Sequence, residues 1–219
     1  MPRPRRLLPT LLAAALLTPT VLPAGASAGL VAVNPSSDVL VIGDSLAVGL
    51  RPYLAEQLGT DVAWDAKSGR TTPRGMVALR AALKIVRPST VVVSLGTNDG
   101  SSPARFQDRI NRTLKAIGNR CVVWTNIYRP ARKGPYAALN AVLVAEAQRY
   151  RRLHLVDWLS AVRRQAVTLP DGLHPDQAGF EYRGKLIADA VKADCGGAAT
   201  TTPSTGARSD GTGGVASPT

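Results

Sequence analysis

This 219-residue chain has two histidines, two cysteines, two methionines and two phenylalanines. His154 and His174 stand far apart, and neither lies near a cysteine, so the sequence offers no ligand cluster for a metal. It also lacks the G-x-G-x-x-G run that cradles a dinucleotide. No metal or cofactor is therefore expected. Acids are scarce, 15 against 27 lysines and arginines, for a formal net charge of +12. Such a balance raises the question of nucleic acid. Aromatics make up only 5% of residues, too few for an extended stacking platform, so no nucleic-acid partner is expected. Most arginines fall at helical spacing, the pattern of a solvated face. No internal repeat is evident.

Long apolar runs are missing too, with one exception at the start. Arg3, Arg5 and Arg6 precede an apolar stretch over 7–22, and Ala26-Ser27-Ala28 follows as a small-residue cleavage site. This reads as a secretory signal peptide over 1–28. Pro9, Pro19 and Pro23 interrupt a stretch already short for a bilayer, so no stable membrane anchor is expected. No cysteine follows the cleavage site to carry a lipid. The far end, 196–219, is Gly, Thr, Ser, Ala and Pro with almost no large apolar residue, and is expected to be disordered. One domain over 29–195 remains. Exported and basic, it should associate electrostatically with anionic cell-wall material. A secreted or wall-associated monomer is the expectation.

Five apolar runs read as strands, over 39–42, 61–64, 90–95, 121–127 and 153–156. The third and fourth are almost continuously apolar and β-branched, as strands buried on both faces are. Between them lie amphipathic stretches over 46–58, 73–86, 103–117 and 136–150, and 175–193 closes the domain as a helix. Pro73 and Pro103 fit the first turn of a helix. Regular alternation predicts an α/β class, a three-layer α/β/α sandwich around a five-stranded parallel sheet of flavodoxin-like order 2-1-3-4-5. Cys121 opens a strand and Cys195 closes the last helix. Strand starts and helix ends share one end of such a domain, so these two are expected to form a disulfide.

At the other end of the sheet stand the residues that carry chemistry. Ser45 follows the first strand in Gly43-Asp44-Ser45-Leu46. Gly69 follows the second, and Asn98 the third in Gly96-Thr97-Asn98-Asp99. Near the close of the domain lies Asp171-Gly172-Leu173-His174-Pro175. Serine, histidine and acid are the parts for acyl transfer through a serine ester. Ser45 is the candidate nucleophile, although serine also favours a helix N-cap. His174 is the candidate base, with His154 a remote alternative inside a strand. Asp171, three residues before His174, can reach the far ring nitrogen; Asp157 is the second candidate for the acid. Asp44 and Asp99 read as loop-fixing acids. Thr71, Thr72, Arg74, Arg129, Arg132 and Lys133 are expected along the pocket rim. The α/β-hydrolase pattern G-x-S-x-G is not met, because Ala47 stands at its second glycine.

Those four blocks, in that order, resemble the SGNH (GDSL-type) esterase and lipase superfamily over about residues 39–193. The resemblance implies a Ser45–His174–Asp171 triad. It also implies an oxyanion hole built from the backbone N–H groups of Ser45 and Gly69 and the Asn98 amide. The function it implies is a secreted serine esterase acting on carboxylic esters. No helical insertion is present to form a lid, which favours short-chain soluble esters. Two other readings use the same domain: an O-acyltransferase or O-deacetylase on cell-wall polysaccharide, and an inactive carbohydrate-binding module. The partner is then a small-molecule or glycan-linked ester.

Overall fold

A computed structural model describes residues 34–196. The leader expected over 1–28 and the tail expected over 196–219 lie outside them, save Gly196. Strands β1 (Val39–Gly43), β2 (Val62–Ala66), β3 (Thr90–Ser94), β4 (Cys121–Thr125) and β5 (Leu153–Val156) form one sheet. All pairs are parallel and the order is β2-β1-β3-β4-β5, as the alternation predicts. Because side chains alternate across a strand, the continuous apolar runs feed two cores at once. Leu40, Ile42, Val91, Val93, Val122 and Trp124 face α3 (Thr72–Ala82), α4 (Pro103–Ile117) and α5 (Ala137–Arg149). Val39, Val41, Val92, Val123 and Val156 face α1 (Ser45–Val48), α2 (Arg51–Leu58) and α7 (Gln177–Ala190). Each fully buried aliphatic side chain contributes roughly 1.5–3 kcal/mol, so this layering carries the fold.

Several elements differ from the expectations. The helix predicted over 46–58 is two helices, broken at Gly49 and Leu50. Pro52 sits in the first turn of α2 and has no N–H to give the Val48 carbonyl, so the turn cannot continue. The strands predicted to reach residues 95 and 127 stop earlier; Leu95 and Ile127 stay buried, but in the loops that leave the sheet. A six-residue helix, α6 (Trp158–Arg163), follows β5, capped by Asp157, whose Oδ1 accepts the Ser160 N–H at 3.1 Å. Its few residues gave no helical period to read.

At the amino edge of the sheet, Cys121 and Cys195 form the expected disulfide, Cα atoms 5.7 Å apart and 74 residues apart in sequence. At the carboxyl edge, two opposite charges are buried. Asp44 is 0% exposed and Arg183 of α7 is 1% exposed. Arg183 donates to Thr125 Oγ1 at 2.9 Å and Ser94 Oγ at 3.2 Å, and its guanidinium lies 4.5 Å from the Trp158 ring centroid. Burial pulls Arg183 down to about 10, opposed by Asp44. Burial likewise pushes Asp44 up to about 6, opposed by the Leu46 N–H, Arg183 and His174.

Two expected outcomes follow from these two edges. Replacing both cysteines by serine should lower unfolding free energy by about 4 kcal/mol, because the bridge closes so long a loop; urea denaturation measures it. The raised Asp44 means that the folded state holds this proton more tightly than the unfolded chain. Its contribution to stability is therefore full at low pH and is lost as pH rises through about 6. The stability of Asp44→Asn relative to the parent should thus improve by about 2 kcal/mol between about pH 4 and about pH 7, as read by denaturation at each pH.

Candidate active site

Ser45 owes its position to a tight strand-to-helix turn. A Cβ on Gly43 would fall 2.2 Å from Ala47 Cβ and 3.2 Å from the Ser94 carbonyl oxygen, so only glycine lets α1 fold back onto β1. Asp44, not Ser45, is the N-cap: its Oδ1 accepts the Leu46 N–H at 3.0 Å. That leaves the Ser45 hydroxyl for another partner. Its own N–H, at the first helical position, is one that helix geometry leaves without an intrahelical acceptor. Because α1 has only four residues, the helix dipole behind Ser45 is that of a single turn.

Ser45 Oγ lies 2.8 Å from His174 Nε2, and His174 Nδ1 lies 2.7 Å from Asp171 Oδ2. The structure thus brings into one hydrogen-bonded chain a serine and a histidine 129 residues apart. The second Asp171 oxygen accepts the backbone N–H groups of His174 at 2.7 Å and Leu173 at 2.9 Å. Hydrogen bonds from the His174 ring, then from these two N–H groups, hold Asp171 well below the usual carboxylate range. The carboxylate is thus ionised and cannot rotate away from the ring. Helix capping beside Pro175 falls instead to Asp176, whose Oδ1 accepts the Gly179 N–H at 2.8 Å. Both members of the pair are open to solvent, with side-chain exposures of 37% for His174 and 54% for Asp171.

The other two expected site residues sit on the neighbouring loops. Gly69 is the third residue of a turn closed by the Arg70 N–H on the Lys67 carbonyl at 3.2 Å. Its φ of +69° is the left-handed region, which a side chain would strain. Asn98 Nδ2 donates to the Arg70 carbonyl at 3.3 Å and to Asp44 Oδ2 at 3.4 Å. The amide is thereby aligned by the loops after β1 and β2 together. Both bonds are long, so an N–H can turn to a stronger acceptor at little cost.

What fixes these loops was only partly visible in the sequence. Asp99 does bind loops: its Oδ1 accepts the Thr72 N–H at 2.8 Å and its Oδ2 pairs with Arg109 at 3.0 Å. Arg70, not singled out before, folds back on Asp65 of β2 at 2.6 Å while its carbonyl holds Asn98. Arg129 corrects the expected pocket rim. It is 1% exposed and donates to Thr97 O, Asp99 O, Ser101 Oγ, Gly134 O and Pro135 O, stitching the loop after β3 to the loop after β4. Arg132 remains exposed and donates to the Asp171 carbonyl at 3.3 Å. The rejected candidates also have occupations elsewhere. His154 lies on β5, 3.7 Å from Asp194, and Asp157 receives the Asn126 amide at 2.7 Å.

The chain is similar to known proteins. The profile of the GDSL-like lipase/acylhydrolase family matches residues 41–182. No curated protein sequence matches the chain. Among solved structures, TesA is similar with a TM-score of 0.59 and 28% identity, over 70% of this chain and 97% of that one. The C-terminal catalytic domain of Streptococcus pneumoniae peptidoglycan O-acetyltransferase A has a TM-score of 0.59 at 20% identity, over 74% and 94% of the two chains. A lipase/acylhydrolase from Enterococcus faecalis has a TM-score of 0.57 at 22% identity, over 70% and 94%. The last two show the fold. The family match takes in Ser45, Gly69, Asn98, Asp171 and His174 and most of the chain: this protein belongs to the GDSL-like lipase/acylhydrolase family and is a carboxylic ester hydrolase.

Proposed function

We propose that the protein is an exported serine esterase that cleaves short-chain or acetyl esters through an acyl-enzyme on Ser45. The observation that carries this reading is the continuous Ser45–His174–Asp171 hydrogen-bonded chain. In the first half-reaction, Ser45 Oγ bonds to the ester carbonyl carbon as His174 Nε2 takes its proton. Asp171 fixes the ring tautomer and stabilises the imidazolium. The carbonyl oxygen becomes an oxyanion, met by the Ser45 and Gly69 N–H groups and by Asn98 Nδ2. Collapse of the tetrahedral intermediate breaks the C–O bond of the ester, and His174 returns the proton to the leaving alkoxide. Water, deprotonated by His174, then attacks the acyl-enzyme and releases the carboxylic acid and Ser45.

Export is supported by the leader read in the sequence and by the Cys121–Cys195 disulfide, which oxidising compartments favour. Among the described residues, no helix is long and apolar enough to cross a membrane. A second reading, transfer to or from a hydroxyl of a cell-wall glycan, keeps the first half-reaction and changes only the acceptor. The solvent exposure of His174 and Asp171 favours it, because a bulky hydroxyl can approach the base. The fold shared with a peptidoglycan O-acetyltransferase domain is compatible with it.

Hydrolysis of p-nitrophenyl acetate tests the esterase reading. Ser45→Ala and His174→Ala should each lower kcat by at least about 10³, and Asn98→Ala by ~10²–10³ with little change in KM. Full activity in either of the first two would overturn it. Labelling by a fluorophosphonate should occur in the parent and vanish in Ser45→Ala, which also separates an enzyme from an inert binding module. Adding a wall oligosaccharide acceptor to the acetylation assay distinguishes the second reading: acetyl-glycan should accumulate at the expense of acetate if transfer is the reaction.

A further inference from the structure

A groove of about 370 Å³ runs between the C-terminal half of α4 and the corner joining α5 to β5, lined by Asn111, Arg112, Leu114, Lys115, Tyr150 and Arg152. It opens beside the starts of β4 and β5, the edge of the sheet opposite Ser45. Its walls are cationic. The Arg149 and Arg152 guanidiniums lie over the Tyr150 ring, 5.5 and 5.9 Å from its centroid. Arg112 and Lys115 project from α4, and the acid beside them, Asp108, makes an exposed pair with Arg112 at 2.9 Å. Such surface pairs are weak and yield readily to a competing anion.

Two polar atoms of the wall are buried without a hydrogen-bond partner among the described residues: Arg152 Nη1, a donor, and Asn111 Oδ1, an acceptor. Arg152 spends its other terminal nitrogen on the Leu114 carbonyl at 2.9 Å. Burial holds this guanidinium below the usual arginine range, and no carboxylate is among the groups that oppose the shift. Leaving a donor and an acceptor unsatisfied costs stability; neither atom is open to solvent as it stands, and a side-chain shift that exposes them would let a ligand carrying both an oxyanion and a hydroxyl satisfy them together. We propose that this groove docks a polyol-phosphate polymer of the cell envelope, phosphate oxygens on Arg152, Arg112 and Lys115 and a polyol hydroxyl on Asn111. A nucleic acid fits less well, because the ring that a base would need is already covered by two guanidiniums. Docked on this side, the polymer leaves the Ser45 edge unobstructed, so the groove tethers the enzyme and takes no part in the chemistry.

The choice of polymer rests on the export proposed above; the binding itself is read independently of turnover, so either idea can fail alone. Binding of the full chain to immobilised poly(glycerol phosphate) is measured at about 0.15 M salt. Arg112→Glu with Lys115→Glu should weaken it at least about tenfold and leave p-nitrophenyl acetate turnover unchanged. The matched control, Arg163→Glu with Lys185→Glu, changes net charge equally on α6 and α7 and should weaken binding less than about threefold. Asn111→Ala should weaken the polyol phosphate but not inorganic polyphosphate, which has no hydroxyl. Equal losses in the two charge-reversed proteins, tighter binding of duplex DNA or polyphosphate than of the polyol phosphate, or no binding by the parent protein would each overturn the proposal.

Discussion

The Asp44 carboxylate, sealed from water just after β1, takes the Leu46 N–H on one oxygen and the Asn98 amide on the other. The first contact starts the turn that presents Ser45; the second links that turn to the loop after β3. Neither would hold if the carboxylate were free to find water. Its burial is tolerable because Arg183, equally buried, supplies an opposing charge from α7. The pair does not touch directly: Arg183 bonds to Ser94 and Thr125 at the ends of β3 and β4. One buried electrostatic unit therefore ties the carboxyl ends of three adjacent strands to the helix that closes the domain. Buried opposite charges of this kind are a weak source of net stability.

Around this unit the loops are held by hydrogen bonds to backbone atoms. Arg70 returns to Asp65, Asp99 reaches across to Thr72, and Arg129 saturates its guanidinium on carbonyls and a hydroxyl from two loops. Loops packed only by apolar contacts could slide against one another. Directional bonds to carbonyl and N–H groups allow far less play, and catalysis of acyl transfer depends on donors placed in advance of the charge they will meet.

The sheet was legible because β-branched runs such as Val91-Val92-Val93 can be little else, and their alternation with amphipathic stretches leaves few topologies. The reading of Ser45, Gly69 and Asn98 rested on strand ends, where the chemistry of a parallel sheet gathers, and that of Asp171 and His174 on their three-residue spacing. Sequence said less about local breaks. The apolar spacing over 46–58 runs straight through the point where Pro52 interrupts it, and α6 is too short to show a period. It said least about buried cations. Arg129 and Arg183 look in sequence like any surface arginine; three of the five Arg129 acceptors and both Arg183 acceptors come from residues roughly 30 to 90 positions away, so only the folded chain reveals that they are interior. Asp44 was read as a loop-fixing acid, but nothing local announced that it would be sealed from solvent.

The base and its orienting acid lie within one turn of four residues, clasped to each other by the ring and by the backbone. That makes them a single rigid piece, seated on a solvent-facing segment, while the nucleophile rides on the sheet. That piece meets the nucleophile through the 2.8 Å link from His174 to Ser45, while Arg132 holds its other side at the Asp171 carbonyl. A shift of that turn relative to the sheet would therefore part the base and its acid together from the nucleophile, leaving the pair itself whole.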